Sequence, residues 1–382
     1  MIRDQETLTQ LVDIIERFVR ERLIPAEKQL AEEAKLPDDI LAEMKALGLF
    51  GLTIPEQYGG LGLTMEEEIQ VAIALGRTSP AFRSIIGTNN GIGSAAIIFS
   101  GSEQQKQKYL PKYATGEWIS CFCLTEPEAG SDAAALKTSA RREGDHYILN
   151  GTKRFITNAP VADTFNVMAR TNPDIKGARG ISSFIVEKSS PGISLGAIDK
   201  KMGQSGSLTC DVIFEDCRVP AENIIGEEGE GFITAMKVLD RGRLHISGLS
   251  VGVAQRLIDD ALEYAMQRKQ FGKPLAEQQL IQAMLADSQT ETYAAKCMTE
   301  ETARKRDNGE NVSTESSACK LFATEMVGRV ADRAVQIHGG AGYMSEYAVE
   351  RFYRDVRLFR LYEGTSQIQQ LIIARNMIKN AS

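Results

Sequence analysis

Hydrophobic residues return at helical spacing through the first part of the chain. Between Leu8 and Leu23 an apolar side chain recurs every three or four positions, and Pro25 then interrupts the pattern. A second apolar stripe runs from Ile40 to Leu47 before a glycine stops it. Three more helices are predicted, over residues 65–77, 80–100 and 103–113. Residues 1–118 are therefore predicted to form a helical domain.

Short alternating runs replace this period after Trp118. Apolar and polar residues alternate over residues 145–149, 154–157, 165–170, 183–187 and 211–214. Turn-forming pairs stand between the runs, among them Asn150-Gly151 and Pro191-Gly192. Short strands with this spacing predict an antiparallel β domain over residues 119–228.

The helical period then returns and continues to the end of the chain. Long helices are predicted over residues 232–267, 280–306, 314–336 and 365–379. Four helices with short connections indicate a helix bundle over residues 229–382. The predicted fold class is α+β, with an N-terminal helical domain, a middle antiparallel β domain and a C-terminal four-helix bundle.

Composition excludes several classes of protein. The chain has 382 residues, a net charge of −7 and no long basic run, which argues against binding to nucleic acid or to anionic membranes. No uninterrupted apolar segment approaches the roughly 20 residues that a membrane-spanning helix needs. The charged N-terminus enters an amphipathic pattern at once and resembles neither a signal peptide nor a transit peptide. We expect a cytoplasmic protein without a membrane span.

The cysteines and histidines give no metal-binding pattern. Cys121 and Cys123 alternate across a predicted strand, and this spacing does not fit a redox or zinc pair. The three histidines are scattered along the chain. We expect reduced thiols and no metal site.

One carboxylate, Glu363, stands out near the C-terminus. It lies on a predicted turn just before a helix, and apolar and aromatic residues such as Leu361 and Tyr362 precede it. Such surroundings disfavour the charged form and raise the pKa of a carboxylate toward neutrality, as a base that removes a proton from carbon requires. Gly364 permits a substrate to approach the backbone closely. The alternative is an ordinary carboxylate that complements a helix dipole.

Two further segments accompany this one. They are Cys123-Leu124-Thr125-Glu126-Pro127-Glu128-Ala129-Gly130-Ser131-Asp132 and Gln336-Ile337-His338-Gly339-Gly340-Ala341-Gly342-Tyr343. Together with the Glu363 segment they resemble the acyl-CoA dehydrogenase family in order and spacing, over essentially the whole chain. Three separated motifs are more specific than one glycine-rich match. The resemblance implies a helix–sheet–helix fold of three domains, FAD as the cofactor and a homotetramer arranged as a dimer of dimers.

The resemblance also implies two groups of FAD-binding residues. The group in the middle domain comprises Phe122, Leu124, Thr125, Ser131, Phe155, Ile156 and Thr157. The group in the C-terminal domain, which we call the distal group, comprises Arg268, Phe271, Gln278, Gln279, Gln336, Ile337, Gly339, Gly340, Thr365 and Gln367. In the family, part of the distal group reaches the FAD of the neighbouring subunit. Taken singly, without the flanking motifs, Phe155 is more typical of strand core.

The reaction implied is the α,β-dehydrogenation of an acyl-CoA to the trans-2-enoyl-CoA. Glu363 removes the α-proton, the β-hydrogen leaves as hydride to FAD, and electron-transfer flavoprotein reoxidises the flavin. The implied substrate-binding residues are Arg83, Ser131, Asp240, Arg243, Tyr362 and Gly364. Some relatives carry their base at the position of Gly242, where this chain has no carboxylate.

The resemblance implies that the helix predicted over residues 80–100 lines the acyl pocket. Arg83, Gly87, Asn90 and Ser94 fall on one face of it. The segment around Arg83 resembles that of glutaryl-CoA dehydrogenases, in which an arginine binds the distal carboxylate of the substrate. The alternative is a surface arginine paired with a glutamate of residues 66–68.

The sequence does not specify the acyl group of the substrate. We expect a short- to medium-chain group, with or without a distal acid. A glutaryl-CoA-type dehydrogenase that also decarboxylates is one alternative, and a flavin-bound acyl-CoA-binding protein without redox turnover is another. An oxidase that passes electrons to oxygen is a third.

Overall fold

Helices build the first part of the structure, a computed structural model that describes residues 2–381. They are α1 (Gln5–Phe18), α2 (Ile24–Glu33), α3 (Asp38–Ala46), α4 (Met65–Gly76), α5 (Pro80–Gly87), α6 (Ala95–Ser100) and α7 (Glu103–Thr115). Asp4 caps α1 by accepting a hydrogen bond from the backbone N–H of Glu6 at 3.0 Å. The interruption predicted at Pro25 takes the form of a π-helical segment, Val19–Leu23, that joins α1 to α2. Pro25 itself lies in the first turn of α2, where its missing N–H costs nothing.

A mixed β-sheet forms the middle part. Its strands are β1 (Ser120–Cys123), β2 (Ser139–Glu143), β3 (His146–Thr157), β4 (Thr164–Arg170), β5 (Ile181–Glu187), β6 (Ile193–Leu195), β7 (Thr209–Pro220) and β8 (Ile224–Ile225). Within residues 2–381 the order is β6-β7-β3-β2-β4-β5-β8, and β1 pairs with β4 beside this path. Most pairs are antiparallel as predicted, but β2 pairs with β4 in parallel at Ser139, and β1 also runs parallel to β4. It arrives from α7 and not through a hairpin, so the connection does not force an antiparallel direction.

The turn predicted at Asn150-Gly151 is wrong. β3 runs straight through this pair, and its register against β7 shifts between Leu149 and Gly151. A Cβ at Gly151 would lie 2.5 Å from Thr138 Oγ1. The glycine therefore serves a β-bulge and a close approach of two strands.

Helices return in the last part of the chain. They are α8 (Gly231–Gln267), α9 (Gln279–Asp307), α10 (Ser313–His338), α11 (Ala348–Val356) and α12 (Ser366–Ala381), with a hairpin of β9 (Lys269–Gln270) and β10 (Lys273–Pro274) between α8 and α9. The four predicted long helices are present, and α11 was not predicted. Apolar residues of α4, among them Met65 and Ile69, share one core with α8 and α10. The three-domain helix–sheet–helix fold is thus confirmed.

The helix predicted over residues 80–100 is divided. A π-helical segment, Thr88–Gly93, separates α5 from α6. Because a π turn is wider than an α turn, it rotates the residues that follow, and the predicted shared face is wrong. The Asn90 side chain donates to the Leu49 carbonyl at 2.7 Å, and the Ser94 hydroxyl donates to the Asn90 carbonyl at 2.7 Å. Both side chains therefore pack into the N-terminal domain.

A buried carboxylate on α2 fixes the start of α5. Glu27 accepts a hydrogen bond at 3.0 Å from the N–H of Ser79, the residue that caps α5. It also forms ion pairs with Arg256 of α8 at 3.3 Å and with Arg351 of α11 at 2.7 Å. These contacts hold α5 against the C-terminal helices.

None of the helices in residues 2–381 combines the length and the apolarity needed to cross a lipid bilayer.

Candidate active site

One cavity collects most of the predicted site residues. It has a volume of about 420 Å³ and lies where α5, the sheet, α8 and the turn before α12 meet. Its walls include the predicted residues Arg83, Phe122, Leu124, Thr125, Ser131, Phe155, Ile156, Thr157, Arg243, Tyr362, Glu363 and Gly364. A wider cavity of about 620 Å³ beside α10 contains none of the predicted residues. The candidate chemistry is therefore in the smaller cavity.

The turn that carries Glu363 is strained and held from two sides. Glu363 has φ 52° and Gly364 has φ 89°. A non-glycine residue in this left-handed region costs about 1–2 kcal/mol, so other contacts must fix it. Lys320 Nζ and Gln369 Nε2 both donate to the Gly364 carbonyl, at 2.7 and 2.9 Å. α12 starts directly afterwards, with the Thr365 hydroxyl oxygen accepting the N–H of Ile368 at 3.2 Å.

The carboxylate of Glu363 occupies a gap that only glycine leaves open. A Cβ at Gly242 of α8 would lie 2.0 Å from Glu363 Oε2. Oε2 is closed to solvent and has no hydrogen-bond partner among the described residues. Burial raises the pKa of Glu363, although the positive charges of Arg83, Lys320 and Arg243 work in the opposite direction. A carboxylate with a raised pKa and an unused oxygen is suited to accept a proton inside the cavity.

Lys320 belongs to the site but was not predicted from the sequence. Its side chain is fully buried on α10, beside Cys319 and Ala323. Burial lowers the pKa of Lys320 to about 8, although the negative charge of Glu363 raises it. The one indication in the sequence was that Lys320 lies on a helix face of otherwise small and apolar residues. A lysine is rarely buried in such a position without a partner.

A second wall of the cavity presents an unusually placed aromatic ring. Phe155 is 59% exposed and has φ 59°. The register of β3 against β7 shifts between Lys153 and Ile156, which turns the ring out of the sheet. Phe155 is therefore not strand core, and its strained backbone is typical of a functional position.

A buried ion pair supports the loop on this wall. Lys153 Nζ donates to Glu126 Oε1 at 2.8 Å and to the Leu124 carbonyl at 3.2 Å. Glu126 also accepts the backbone N–H groups of Lys137 and Thr138, at 2.6 and 2.9 Å. A buried pair is tolerated when its remaining hydrogen bonds are made. Here they fix the loop that presents Thr125 and Ser131.

Arg243 is buried in the wall beside Glu363, and Asp240 lies behind it. The two side chains form an ion pair one turn apart on α8. Asp240 is not in the wall of this cavity, and its role toward the substrate stays a prediction. Arg243 Nε is buried without a hydrogen-bond partner in residues 2–381.

Arg83 is buried, and the surface alternative is wrong. Only 8% of the residue is exposed. Its Nε donates to His245 Nε2 at 2.7 Å. A Cβ at Gly87 would lie 2.2 Å from this Nε, so glycine makes room for the guanidinium one turn along α5.

The distal group does not line the cavity within one chain. Arg268, Gln279, Gln336, Gly339, Gly340 and Gln367 are exposed, and Phe271 is 94% exposed at the tip of the β9–β10 hairpin. Ile337 is buried in the bundle core, and Gln278 and Thr365 are half-buried near helix starts. Their role toward FAD stays a prediction that needs a second copy of the chain.

Comparison with known proteins gives the family. Residues 5–117, 121–217 and 229–378 match the models described as acyl-CoA dehydrogenase N-terminal, middle and C-terminal domains. Caffeyl-CoA reductase-Etf complex subunit CarC of Acetobacterium woodii is 44% identical over 92% of this chain and 92% of its own.

Two solved structures are also close. Butyryl-CoA dehydrogenase from Megasphaera elsdenii superposes with a TM-score of 0.95 at 34% identity, over 99% of this chain and 100% of that one. A glutaryl-coenzyme A dehydrogenase in complex with glutaryl-CoA gives 0.93 at 34% identity, over 99% and 97%. The chain belongs to the acyl-CoA dehydrogenase family, and it is an FAD-dependent oxidoreductase.

The observed wall fits FAD. The Phe155 ring is flat, exposed and fixed by a bulge, as stacking against a planar ring system requires. The hydroxyl groups of Thr125, Thr157 and Ser131 share this wall and offer hydrogen bonds. These residues and the distal group would hold the cofactor.

The gap at Gly242 gives a direct test. We predict that Gly242→Ala displaces the Glu363 carboxylate and lowers the rate of flavin reduction by substrate at least about tenfold, because small misplacements of a reacting group are costly. FAD content and melting temperature should stay close to wild type. Stopped-flow absorbance of the flavin measures the rate.

Gly91→Ala is the matched control, because a Cβ at Gly91 meets nothing within 4 Å. If Gly242→Ala reduces its flavin as fast as Gly91→Ala does, the gap is not a constraint on the base.

Proposed function

We propose that this protein oxidises a short-chain acyl-CoA between its α and β carbons, with Glu363 as the base. One observation carries this proposal: Glu363 Oε2 is buried without a partner in the gap opposite Gly242. The butyryl-CoA dehydrogenase among the neighbours supports a short acyl group. Apart from Glu363, the only acidic residue in the wall of this cavity is Asp132, which is exposed.

The residues of the chain supply proton transfer and orientation. Glu363, poorly solvated, takes the α-proton, and its backbone N–H donates to the thioester oxygen, where negative charge develops. Arg243, which is ion-paired with Asp240, offers its unpartnered Nε at this end of the cavity. The residues of the Phe155 wall would hold FAD, which would supply the hydride acceptor.

The same residues serve the reverse direction. A base that takes the α-proton in oxidation returns it when an enoyl thioester is reduced. The relative from Acetobacterium woodii is named as a reductase in a complex with Etf. We therefore propose an electron-transfer flavoprotein as the redox partner, with the direction set by that partner's potential.

Arg83 favours an acyl group that ends in an acid. No carboxylate lies within ion-pair distance of its guanidinium among residues 2–381, although the residue is buried. A buried cation that contacts no carboxylate is unfavourable, and a substrate carboxylate would supply that contact. The neighbour that holds glutaryl-CoA supports this substrate class. A decarboxylating dehydrogenase is one member of that class.

Glu363→Gln should bind FAD and acyl-CoA but lose nearly all flavin reduction. The amide keeps the shape of the side chain and cannot take a proton, so we expect a loss of about 10²–10⁴-fold in stopped-flow bleaching. In wild type the rate should fall as the pH drops through the raised pKa of Glu363, because only the ionised form is a base. Glu310→Gln, on an exposed loop, is the control. If the flavin of Glu363→Gln is bleached at the control rate, Glu363 is not the base.

Arg83→Met should remove a preference for acidic thioesters. We expect wild type to favour glutaryl-CoA over butyryl-CoA, and the variant to lose about 2–5 kcal/mol of that discrimination. The measurement is kcat/KM for both thioesters with an artificial electron acceptor. Arg77→Met, which removes an exposed arginine paired with Asp259, is the matched control. If wild type favours butyryl-CoA and Arg83→Met keeps that order, Arg83 has a structural role only.

We also propose a homotetramer arranged as a dimer of dimers, in which the distal group of one chain completes the cofactor site of another. Phe271, Leu280 and Tyr343 are large apolar residues that are at least 79% exposed in the single chain, and covering them is favourable. Light scattering should give about four chains per particle. Phe271→Ser should lower both the particle mass and the FAD content. A stable monomer with full FAD occupancy would contradict the proposal.

A further inference from the structure

Three helices meet behind Arg83 in a chain of buried polar groups. Arg83 of α5 donates from Nε to His245 Nε2 of α8 at 2.7 Å. His245 Nδ1 lies 2.6 Å from Glu68 Oε1 of α4. Glu68 Oε2 accepts a hydrogen bond from Arg241 Nε of α8 at 2.8 Å. Arg83, His245 and Glu68 are all at most 8% exposed. We call these four residues the arginine relay.

The hydrogen bonds assign the proton on His245. An arginine Nε can only donate, so His245 Nε2 must accept. The proton of a neutral imidazole is then on Nδ1, from which it donates to Glu68. Burial and the charge of Arg83 lower the pKa of His245, although Glu68 opposes this, so the ring is neutral at physiological pH. Burial would raise the pKa of Glu68, but Arg241 and His245 outweigh it and lower the pKa to about 2.

This arrangement uses the Nε–H of the guanidinium and leaves the edge formed by Nη1 and Nη2. Within residues 2–381, Nε is the only nitrogen of Arg83 that makes a hydrogen bond. The neutral ring orients Arg83 without neutralising it, whereas a carboxylate in the same place would cancel its charge. The negative charge of Glu68 is already matched by Arg241 at 2.6 Å. Arg83 therefore reaches the cavity wall without a carboxylate in direct contact, although the charge of Glu363 acts on it at longer range.

We propose that His245 and Glu68 are positioning residues that hold Arg83 with Nη1 and Nη2 free for a carboxylate at the far end of a short acyl group. They therefore determine how strongly the enzyme prefers acidic over neutral acyl-CoA thioesters. This inference rests on the proposed function and goes beyond it, because it places the selectivity in two residues that do not line the cavity. A guanidinium held in one orientation loses less conformational freedom when it binds a planar carboxylate.

The test compares the ratio of kcat/KM for glutaryl-CoA to that for butyryl-CoA across a set of variants. His245→Met removes both the acceptor and the donor, and we expect the ratio to fall at least about tenfold, mainly through a higher KM for glutaryl-CoA. His245→Gln keeps one acceptor and one donor at similar separation and should restore most of the ratio. A general loss of packing would not produce this rescue.

Glu68→Gln is a second probe in case His245→Met folds poorly. Its amide can donate to Nδ1 and so allow the proton to move to Nε2, which opposes the bond from Arg83. We expect the ratio to fall at least about threefold. His146→Gln changes the first residue of β3, outside the relay, and should keep the wild-type ratio. FAD content and melting temperature are measured for every variant.

The outcomes separate this inference from the proposed function. If Arg83→Met loses the preference for glutaryl-CoA while His245→Met and Glu68→Gln keep it within about twofold, the relay has no positioning role and the acidic substrate stands. If wild type shows no preference for glutaryl-CoA, both the acidic substrate and the relay are overturned, while dehydrogenation by Glu363 is unaffected. If the ratio falls and His245→Gln restores it, the relay is supported.

Discussion

The burial of the Glu363 carboxylate is the constraint on which the rest of the site depends. A carboxylate oxygen that is closed to solvent and makes no hydrogen bond is unfavourable. It is held there because Lys320 and Gln369 fix the following peptide and because α8 has no side chain at Gly242. The packing of α8, α10 and α12 thus determines the chemistry. A shift of α8 by the width of a methyl group would close the gap.

The charges around Glu363 connect its basicity to the contents of the cavity. Burial raises its pKa, and Arg83 is the foremost of the positive charges that oppose this effect. A carboxylate bound at Arg83 would screen that cation and leave Glu363 a stronger base. In the proposed function, recognition of an acidic acyl group and removal of the α-proton would therefore be coupled through Arg83. The neutral state of His245 is what keeps the charge of Arg83 available for both.

Local sequence patterns predicted much of the fold and the turn that carries Glu363. The long helices follow from apolar residues at a period near 3.6, and the turn before α12 follows from Glu363-Gly364 directly before a helix start. The contacts that the sequence did not indicate join residues that are far apart along the chain. Lys320 and Gly364 are separated by 44 positions, and Arg83 and His245 by 162. A lone lysine or histidine on a helix carries no sign of which residue it will meet.

Departures from regular geometry were also invisible in the sequence. Asn150-Gly151 has the composition of a hairpin turn, yet the sheet uses it as a bulge because Thr138 approaches Gly151 closely. The π-helical segment Thr88–Gly93 moves Asn90 away from the cavity, although α-helical spacing would place it beside Arg83. In both cases tertiary packing overrides a correct local preference.

The two halves of the site differ in what a single chain can complete. The half around Glu363 is enclosed by α8, α10 and α12 of the same chain. The half around Phe155 is open, and its aromatic ring is strained and exposed. Phe271 shares both properties on a different surface, with φ 54° and 94% exposure. A strained backbone and an exposed apolar ring are both unfavourable at these two phenylalanines, unless another group packs against the rings. A cofactor that lies between the Phe155 wall of one copy and the β9–β10 hairpin of another would cover both rings, and this would make FAD retention depend on assembly.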